Sequence, residues 1–369
     1  MPDEKIINRT IDLFEDVYPN ENKYIVLLWN DNNVVKHVNR INSNIIFINL
    51  NDNKFGEIIG KVNEYESIIV HFLSTRSASF INKIEHPKIY WIEWGGDLYD
   101  TFLDYKDFKL YSNERFIFKL IYGNIPYFIL KFIKKLKRRN LIKFLSKAVR
   151  KVRYFVPDSM YDEYPLFLKY YPEFTHLEYK EFFYYPIDEI LGKDLIDETC
   201  QNNSIIVGNS SSFTGNHIEV LTKLKEIKTL ENIVIPLSYA GNLKYRDVVT
   251  NFGKENFGTK FLPITEYQTL ENYNKILLNA GVFIYGNLRQ EAVGNILIAL
   301  YIGGKVFLDS RNPLLNFYRN LGLIIFSIDE LTAESITLRL STSDIQINRK
   351  ILLQQYSLIR LKELVQNNF

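Results

Sequence analysis

The chain of 369 residues has one cysteine, two methionines and three tryptophans, and only 17 glycines and 11 prolines. The single cysteine, Cys200, excludes a disulfide within the chain and any metal site that needs several thiolates. Nowhere do about 18 uncharged apolar residues follow one another, so no membrane span is expected. The first residues, Met1 to Lys5, lack the basic-then-apolar order of a secretory leader. These absences predict a cytoplasmic protein.

Length and composition predict a folded protein of two domains. Hydrophobic residues make up 46% of the chain and charged residues 24%, the balance of a soluble globular protein. A chain of this length exceeds what one hydrophobic core usually organises, so two α/β domains are expected. Tyrosines and phenylalanines are abundant, but tyrosines alone are weak evidence for sugar binding.

Positive charge is concentrated in one region. Between Arg115 and Pro157 lie thirteen lysines and arginines and no acid, so the rest of the chain carries −11 against a total of +2. Bulky apolar residues alternate with these cations at helical spacing, which predicts an amphipathic helix near residues 125–153 that lies on an anionic membrane. A solvated face and a nucleic-acid patch are the alternatives, but solvated faces usually mix both signs. The candidate membrane-binding residues are Lys131, Lys134, Lys135, Lys137, Arg138 and Arg139.

Two series of alternating strands and helices are predicted. The first has strands at Tyr24–Trp29, Asn44–Leu50, Ser67–Phe72, Lys88–Trp94, Arg153–Val156 and near Tyr179–Tyr185. The second has strands at Ile205–Val207, Ile233–Pro236, Lys260–Leu262, Val282–Tyr285 and Lys305–Leu308. Its helices are predicted at His217–Lys228, Tyr245–Phe252, Glu266–Asn279 and Glu291–Tyr301.

This alternation of strands and helices predicts an α/β fold with two Rossmann-like domains facing each other across a cleft. The expected domains are residues 1–190 and 200–344, joined by a polar linker at Asp188–Asn203. A final helix, Ile345–Leu364, is expected to cross back to the first domain, so that residues 345–369 form a C-terminal extension. Ligands of open parallel sheets bind outside the carboxyl ends of the strands, so chemistry is expected in the loops that follow them.

The loop after the first strand of the second domain is a candidate phosphate site. Its candidate residues are Gly208, Asn209, Ser210 and Ser211. Glycine lets the backbone approach a ligand, and hydroxyl and backbone N–H groups suit a diphosphate. The loop lacks a Walker lysine and a G-x-G-x-x-G pattern, so it is not a standard nucleotide fingerprint. The alternative is a capped loop before the helix at His217.

A second candidate phosphate site joins a strand to a helix at Asn287–Asn295. A helix N-terminus offers unpaired N–H groups and the positive end of its dipole, and Arg289 adds a planar guanidinium for phosphate oxygens. Alternatively, Arg289 only pairs with Glu291. The candidate residues here are Arg289, Gln290, Gly294 and Asn295.

A third loop has a structural and a functional interpretation. Thr265 to Gln268 fits a helix capping box, in which threonine bonds forward and glutamine bonds back. The functional alternative places Glu266 or Tyr267 against a nucleoside.

The first domain supplies the candidate catalytic residues. Two glycines precede Asp97 at the end of a strand, and such a turn would aim this carboxylate into the cleft to deprotonate an acceptor hydroxyl. Alternatively, Asp97 only caps the next helix. Glu93 is a second candidate base. His71 is a third candidate, for which a core role with a hydrogen bond to the backbone is favoured.

No metal or cofactor is predicted. Asp31–Asn33 and Asn51–Asn53 are interpreted as turns rather than as Asp-x-Asp metal sites. The five histidines show no ligand spacing.

Four motifs resemble those of a known family: WGGDLY at 94–99, IVGNSSSFTGNHIEVL at 206–221, VIPLSY at 234–239 and RQEAVGN at 289–295. The chain is similar over residues 65–320 to the bacterial 4-acetamido-4,6-dideoxygalactose (Fuc4NAc) transferases of enterobacterial common antigen synthesis, close to glycosyltransferase family 56. The resemblance implies the GT-B fold and transfer from a dTDP-activated sugar to an undecaprenyl-diphosphate-linked glycan. It also implies a peripheral location at the cytoplasmic face of the bacterial inner membrane.

The resemblance assigns roles to the two domains. It implies nucleoside diphosphate binding through Gly208, Asn209, Ser210, Tyr239, Arg289, Gly294 and Asn295, with Asp97 and the first domain facing the acceptor. The expected partners are a dTDP- or UDP-sugar, a polyprenyl-diphosphate-linked glycan and an anionic membrane, and no nucleic acid is expected. The alternatives are a nucleotide-sugar epimerase on the same scaffold and a non-catalytic membrane or nucleic-acid binding protein.

Overall fold

A computed structural model describes residues 1–28, 34–40, 44–49 and 54–369. The chain divides into two compact units. The first unit comprises Met1–Phe108, Phe132–Tyr184 and Ile359–Phe369, and the second comprises Lys109–Lys131 and Tyr185–Leu358. The predicted turns at Asp31–Asn33 and Asn51–Asn53, and the strand ends Trp29 and Leu50, lie outside the described residues.

The described residues form twelve strands and fifteen α-helices. The strands are β1 Tyr24–Leu27, β2 Ile45–Ile48, β3 Ile68–His71, β4 Ile89–Ile92, β5 Tyr154–Val156, β6 Glu178–Tyr179, β7 Ser204–Val207, β8 Ile233–Pro236, β9 Phe261–Ile264, β10 Ala280–Tyr285, β11 Lys305–Leu308 and β12 Phe326–Ser327. The helices are α1 Lys5–Val17, α2 Lys54–Lys61, α3 Thr75–Ile81, α4 Glu114–Tyr122, α5 Tyr127–Val149, α6 Glu163–Tyr170, α7 Ile187–Leu195, α8 His217–Ile227, α9 Leu243–Phe257, α10 Leu270–Leu278, α11 Val293–Tyr301, α12 Pro313–Asn320, α13 Ala333–Thr337, α14 Thr342–Gln355 and α15 Leu358–Asn368.

The first unit contains two parallel sheets, one with the order β3-β4-β5-β6 and one that pairs β1 with β2. All four side chains of β4 are buried, as expected of a central parallel strand covered on both faces. Trp91 on this strand packs against Phe102, Phe155 and Phe167. These aromatic residues around β4 are therefore core residues.

The second unit contains a six-stranded parallel sheet with the order β12-β11-β10-β7-β8-β9. From β7 the chain adds strands outward through β8 and β9, and from β10 it adds strands in the opposite direction through β11 and β12. The order therefore reverses between β7 and β10, and loops that leave neighbouring strands in opposite directions open a crevice at such a point. The loops after β7 and β10 are the two predicted phosphate sites.

Two predictions about the chain between sheets are wrong. The predicted linker Asp188–Asn203 contains most of α7, which is kinked at Gly192 with φ 56°. Ile187 and Leu191 lie one helical turn apart and are buried, and Leu195 is buried after the kink. The predicted helix Ile345–Leu364 is two helices, α14 and α15. The chain passes from the second unit to the first between Leu358 and Ile359.

The basic region forms α4 and α5. Gly123, with φ +72°, follows the last residue of α4, and Pro126 precedes α5. The two helices meet at an angle of 80°. No single helix in the described ranges is long and apolar enough to cross a membrane. Taken together, α4 and α5 have the length and composition of a span, but they are bent by 80°.

Candidate active site

Gly208 and His217 hold the loop after β7 in place. Gly208 has φ +68°, and a Cβ built on it would lie 2.6 Å from Nε2 of His217. A Cβ on Gly215 would lie 2.4 Å from Cε1 of the same ring. The ring is fully buried, and burial lowers the pKa of His217 to about 4, so it is neutral at pH 7. Glycine is required at both positions because a neutral imidazole fills the space beside the backbone.

The hydroxyl of Ser211 does not face a ligand as predicted. It donates to the carbonyl of Ala240, and the Ser211 N–H donates to the carbonyl of Tyr239 at 2.9 Å. Ser211 therefore ties the loop after β7 to the loop after β8. Ser210 is buried beside it, Asn209 is partly exposed, and the ring of Tyr239 is exposed.

Arg289 lies in the loop after β10 and pairs with Glu291, which was the alternative interpretation. Its Nε lies 3.1 Å from Oε2 of Glu291, and both side chains are less than one-fifth exposed. Thr214 donates to the same oxygen at 2.7 Å. The guanidinium is thus held by a protein carboxylate next to the second candidate phosphate site.

The N-terminus of α11 has no side-chain cap. The residue at the cap position is Ala292, in a left-handed conformation with φ 64°. Within the described residues, the N–H groups of Val293, Gly294 and Asn295 have no acceptor. Three unpaired N–H groups at the positive end of a helix dipole form a site for an anion.

Gly294 and Asn295, in the first turn of α11, have different surroundings. A Cβ on Gly294 would meet the ring of Tyr185 at 3.6 Å, an ordinary contact, so packing alone does not require glycine here. Asn295 accepts a hydrogen bond at Oδ1 from the hydroxyl of Tyr273, at 2.9 Å. Gln290, in the preceding loop, is buried.

The predicted capping box at Thr265–Gln268 is wrong. The helix begins at Leu270, and Thr269 caps it by accepting from the N–H of Asn272. Thr269 caps the helix instead of Thr265 because it directly precedes the first residues of α10. Glu266 and Tyr267 are therefore exposed loop residues after β9.

Three buried asparagines that were not predicted as site residues lie in or next to these loops, and two of them brace the loops by hydrogen bonds. Asn216, with φ 47°, donates to the carbonyl of Gly286 at 2.8 Å, and Asn312 donates to those of Asn287 and Arg289 at 3.0 Å. The amide of Asn287 is 1% exposed and has no hydrogen-bond partner among the described residues. Their position directly after strands or before helices is the only signal that the sequence offers.

Asp97 does not present its carboxylate to solvent, so the predicted geometry is wrong. The side chain is fully buried. Oδ2 accepts from the N–H of Leu73 and from Nε1 of Trp91, each at 2.7 Å, and Oδ1 accepts from the N–H of Trp94 at 2.8 Å. It makes no side-chain cap to the short π-helix that follows it, Leu98–Leu103, either. Asp97 instead joins the end of β3 to the turn after β4.

Glu93 and His71 are also core residues. Glu93 accepts from the N–H of Gly95 at 2.6 Å and lies beside Glu163; burial raises the pKa of Glu93 to about 8 and that of Glu163 as well. Nδ1 of His71 lies 2.6 Å from the hydroxyl of Tyr184, not from a backbone group as predicted, and burial lowers its pKa to about 3. Both groups are therefore uncharged near pH 7.

No group of three or more His, Cys, Asp or Glu side chains in the described part of the chain is arranged to hold a metal ion.

Comparisons with known proteins agree with this architecture. The chain is similar to a glycosyltransferase from Rickettsia africae, with 13% identity and a TM-score of 0.62 over 100% of this chain and 95% of that one. It is similar to Anabaena Alr3699/HepE in complex with UDP and glucose, with 10% identity and a TM-score of 0.61 over 97% and 94%. It is also similar to an α,α-trehalose-phosphate synthase (UDP-forming) from Burkholderia xenovorans, with 10% identity and a TM-score of 0.55 over 99% and 96%. The predicted GT-B fold is confirmed.

The class of protein follows from fold and sequence together: the chain is a glycosyltransferase with the GT-B fold. Residues 167–350 match the model of the family described as 4-alpha-L-fucosyltransferase, glycosyl transferase group 56. This match confirms the resemblance found in the sequence motifs over that range, which contains three of the four motifs.

Asp97→Asn is expected to destabilise the first unit. An amide offers one acceptor oxygen and turns its NH2 towards an N–H donor, which costs about 2–4 kcal/mol and lowers the melting temperature by several degrees. Thermal unfolding measures this, with Asp100→Asn in the same turn as the control because Asp100 is exposed. An unchanged melting temperature together with lost turnover would restore Asp97 as the catalytic base.

Proposed function

We propose that this glycosyltransferase moves a 4-amino- or 4-acetamido-4,6-dideoxy sugar from a dTDP- or UDP-sugar to an undecaprenyl-diphosphate-linked glycan in bacterial surface polysaccharide synthesis. The second unit binds the donor. The observation that carries the donor site is the uncapped N-terminus of α11 at the point where the strand order of the six-stranded sheet reverses.

The chemistry of the site suits the diphosphate of a nucleotide sugar. Cleavage of the glycosyl–phosphate bond leaves negative charge on the departing nucleoside diphosphate, and fixed donors aimed at that charge stabilise it. The N–H groups of Val293, Gly294 and Asn295 and the helix dipole are such donors. The guanidinium of Arg289 lies in the loop that leads to them and can exchange its contact with Glu291 for a phosphate oxygen.

The comparisons support the donor class and the kind of sugar. Anabaena HepE binds UDP and glucose, and its fold matches this chain over nearly its whole length. The matching family is described by transfer of fucose, a 6-deoxy sugar. Together with the motif resemblance, these findings favour a nucleotide-activated deoxy sugar.

Arg289→Ala is expected to weaken binding of dTDP or UDP at least about tenfold, because a charge-assisted hydrogen bond contributes about 1.5–3 kcal/mol. Isothermal titration measures the affinity, and saturating nucleotide should raise the melting temperature of the unaltered protein. The variant also leaves Glu291 without its cation, so the double variant Arg289→Ala/Glu291→Gln is included.

Arg319→Ala is the matched control, since Arg319 pairs with Glu330 at the surface of the same unit. Affinity lost in both Arg289 variants and kept in the control supports the donor site. If dTDP, UDP and GDP all leave the melting temperature unchanged, the donor-site proposal is wrong.

We further propose that the protein lies on the anionic cytoplasmic face of the bacterial inner membrane through α5. Four of the six predicted membrane-binding cations pair with acidic side chains of the protein. Lys134 and Arg138 pair with Asp104, Lys135 pairs with Asp107, and Lys131 pairs with Glu114. Of the six predicted cations, Lys137 and Arg139 are exposed without an acidic partner in the described ranges.

Apolar side chains dominate the exposed face of the first half of α5. Phe128, Phe132 and Leu136 follow one another every four residues and are 72%, 65% and 54% exposed. Side chains at this spacing lie in one stripe along a helix. Arg139 and Lys143 continue the exposed face in the second half. An apolar stripe followed by cations fits a helix that inserts rings among acyl chains and contacts anionic headgroups.

Phe128→Ser/Phe132→Ser is expected to weaken binding to vesicles with an anionic lipid at least tenfold, because each buried side chain contributes about 1.5–3 kcal/mol. Lys137→Gln/Arg139→Gln should weaken it less and only at low salt, since each cation contributes about 1 kcal/mol near the surface. Vesicle flotation measures both, and Leu230→Ser, at an equally exposed leucine of the second unit, is the control.

If the phenylalanine double variant binds to the vesicles as well as the unaltered protein does, the stripe does not insert into the membrane. Absence of flotation at low salt, together with oligonucleotide binding under matched conditions, would show that the cations serve nucleic acid instead.

A further inference from the structure

Asn295 is the third residue of α11, and its own N–H is one of the three unpaired groups of the first turn. A helical side chain leans towards the N-terminal end of its helix, so the amide of Asn295 leans towards these groups. An asparagine amide can present either a carbonyl oxygen or an NH2 group to a ligand, and the two have opposite preferences for an anion. The face that it presents therefore decides whether Asn295 assists or opposes phosphate binding.

The hydroxyl of Tyr273, on α10, settles that choice. It donates to Oδ1 of Asn295 at 2.9 Å, so the oxygen is occupied and the NH2 group points elsewhere. Burial raises the pKa of Tyr273 to about 12, so the hydroxyl keeps its proton at physiological pH. In the flipped amide, NH2 would face the hydroxyl, and the tyrosine proton would lose its acceptor. A desolvated donor without an acceptor is costly, so the flipped state is disfavoured.

We infer that Tyr273 is a positioning residue for donor binding: it fixes the amide of Asn295 so that Nδ2 donates to a diphosphate oxygen of the nucleotide sugar. The inference rests on the proposed donor site at α11. It adds a residue from a neighbouring helix that does not touch the ligand, and it gives Asn295 a defined role, donation by its NH2 group.

A double-mutant cycle tests the inference. Tyr273→Phe keeps the ring and removes the hydroxyl, so the amide is free to flip, and the Kd of dTDP or UDP should rise about three- to tenfold. The same change in an Asn295→Ala background should alter the Kd less than twofold, because there is no amide left to orient. In turnover assays Tyr273→Phe should raise KM for the donor and leave kcat nearly unchanged.

Two comparisons separate positioning from loss of structure. Tyr164→Phe, which removes a hydroxyl that donates to the carbonyl of Leu177 at 2.7 Å in the first unit, should leave the Kd unchanged. Thymidine and uridine, which lack phosphates, should bind the Tyr273→Phe variant as well as they bind the unaltered protein.

The results distinguish this inference from the donor proposal. An equal loss of affinity from Tyr273→Phe with and without Asn295 would overturn it, as would equal losses for nucleoside and nucleoside diphosphate. If the unaltered protein binds no nucleoside diphosphate, the donor site itself fails. If it binds and Tyr273→Phe binds equally well, only the positioning role fails.

Discussion

The parallel pairing of β7 with β10 is the constraint on which the candidate donor site depends. Ile206 lies opposite Phe283 and Val207 opposite Ile284, and the N–H of Gly208 continues the ladder to the carbonyl of Ile284. These bonds bring the ends of two strands distant in sequence to the same edge of the sheet. The turn at Gly208 and the loop leading to α11 therefore start next to each other at this edge. The chain after β7 then continues towards β8, and the chain after β10 continues towards β11 on the other side.

Buried polar groups hold those loops in position. His217 fills the space beside two glycine backbones, and Asn216 and Asn312 donate to loop carbonyls. The N–H groups at the start of α11 remain without a protein acceptor in the described ranges. A rigid loop framework next to unpaired donors is what binding of an anionic leaving group requires, because the donors need no reorganisation when charge develops.

The polar residues of the first unit that were candidates for catalysis have a different role. Asp97, Glu93 and His71 all lie in its core. The hydrogen bonds of Asp97 and Glu93 join the end of β3, β4 and the turn between Trp94 and Asp97, and His71 pairs with the hydroxyl of Tyr184. In this structure the WGGDLY segment builds a turn that the carboxylate of Asp97 holds in place. The catalytic base has to be sought among groups that reach solvent.

Local patterns predicted the fold well because parallel strands are short apolar runs: β8 and β11 have the predicted bounds, and most other strands differ by one to three residues at either end. The errors about Asp97 and about the cations of α5 arise because distant partners decide where those side chains lie. The partners of Asp97 include Leu73, 24 residues away, and Lys134 and Arg138 meet Asp104, which is 30 and 34 residues away. Asn295 was predicted as a ligand residue, but its hydrogen bond from Tyr273 depends on the packing of α10 against β10 and has no local signal.

Amide hydrogen exchange at residue resolution tests the central claim most directly. With saturating dTDP or UDP, the amides of Val293, Gly294 and Asn295 should exchange at least about tenfold more slowly than in the free protein, because phosphate oxygens then accept their hydrogen bonds. Nucleotide binding that slows exchange elsewhere and leaves these three amides unchanged would contradict the account.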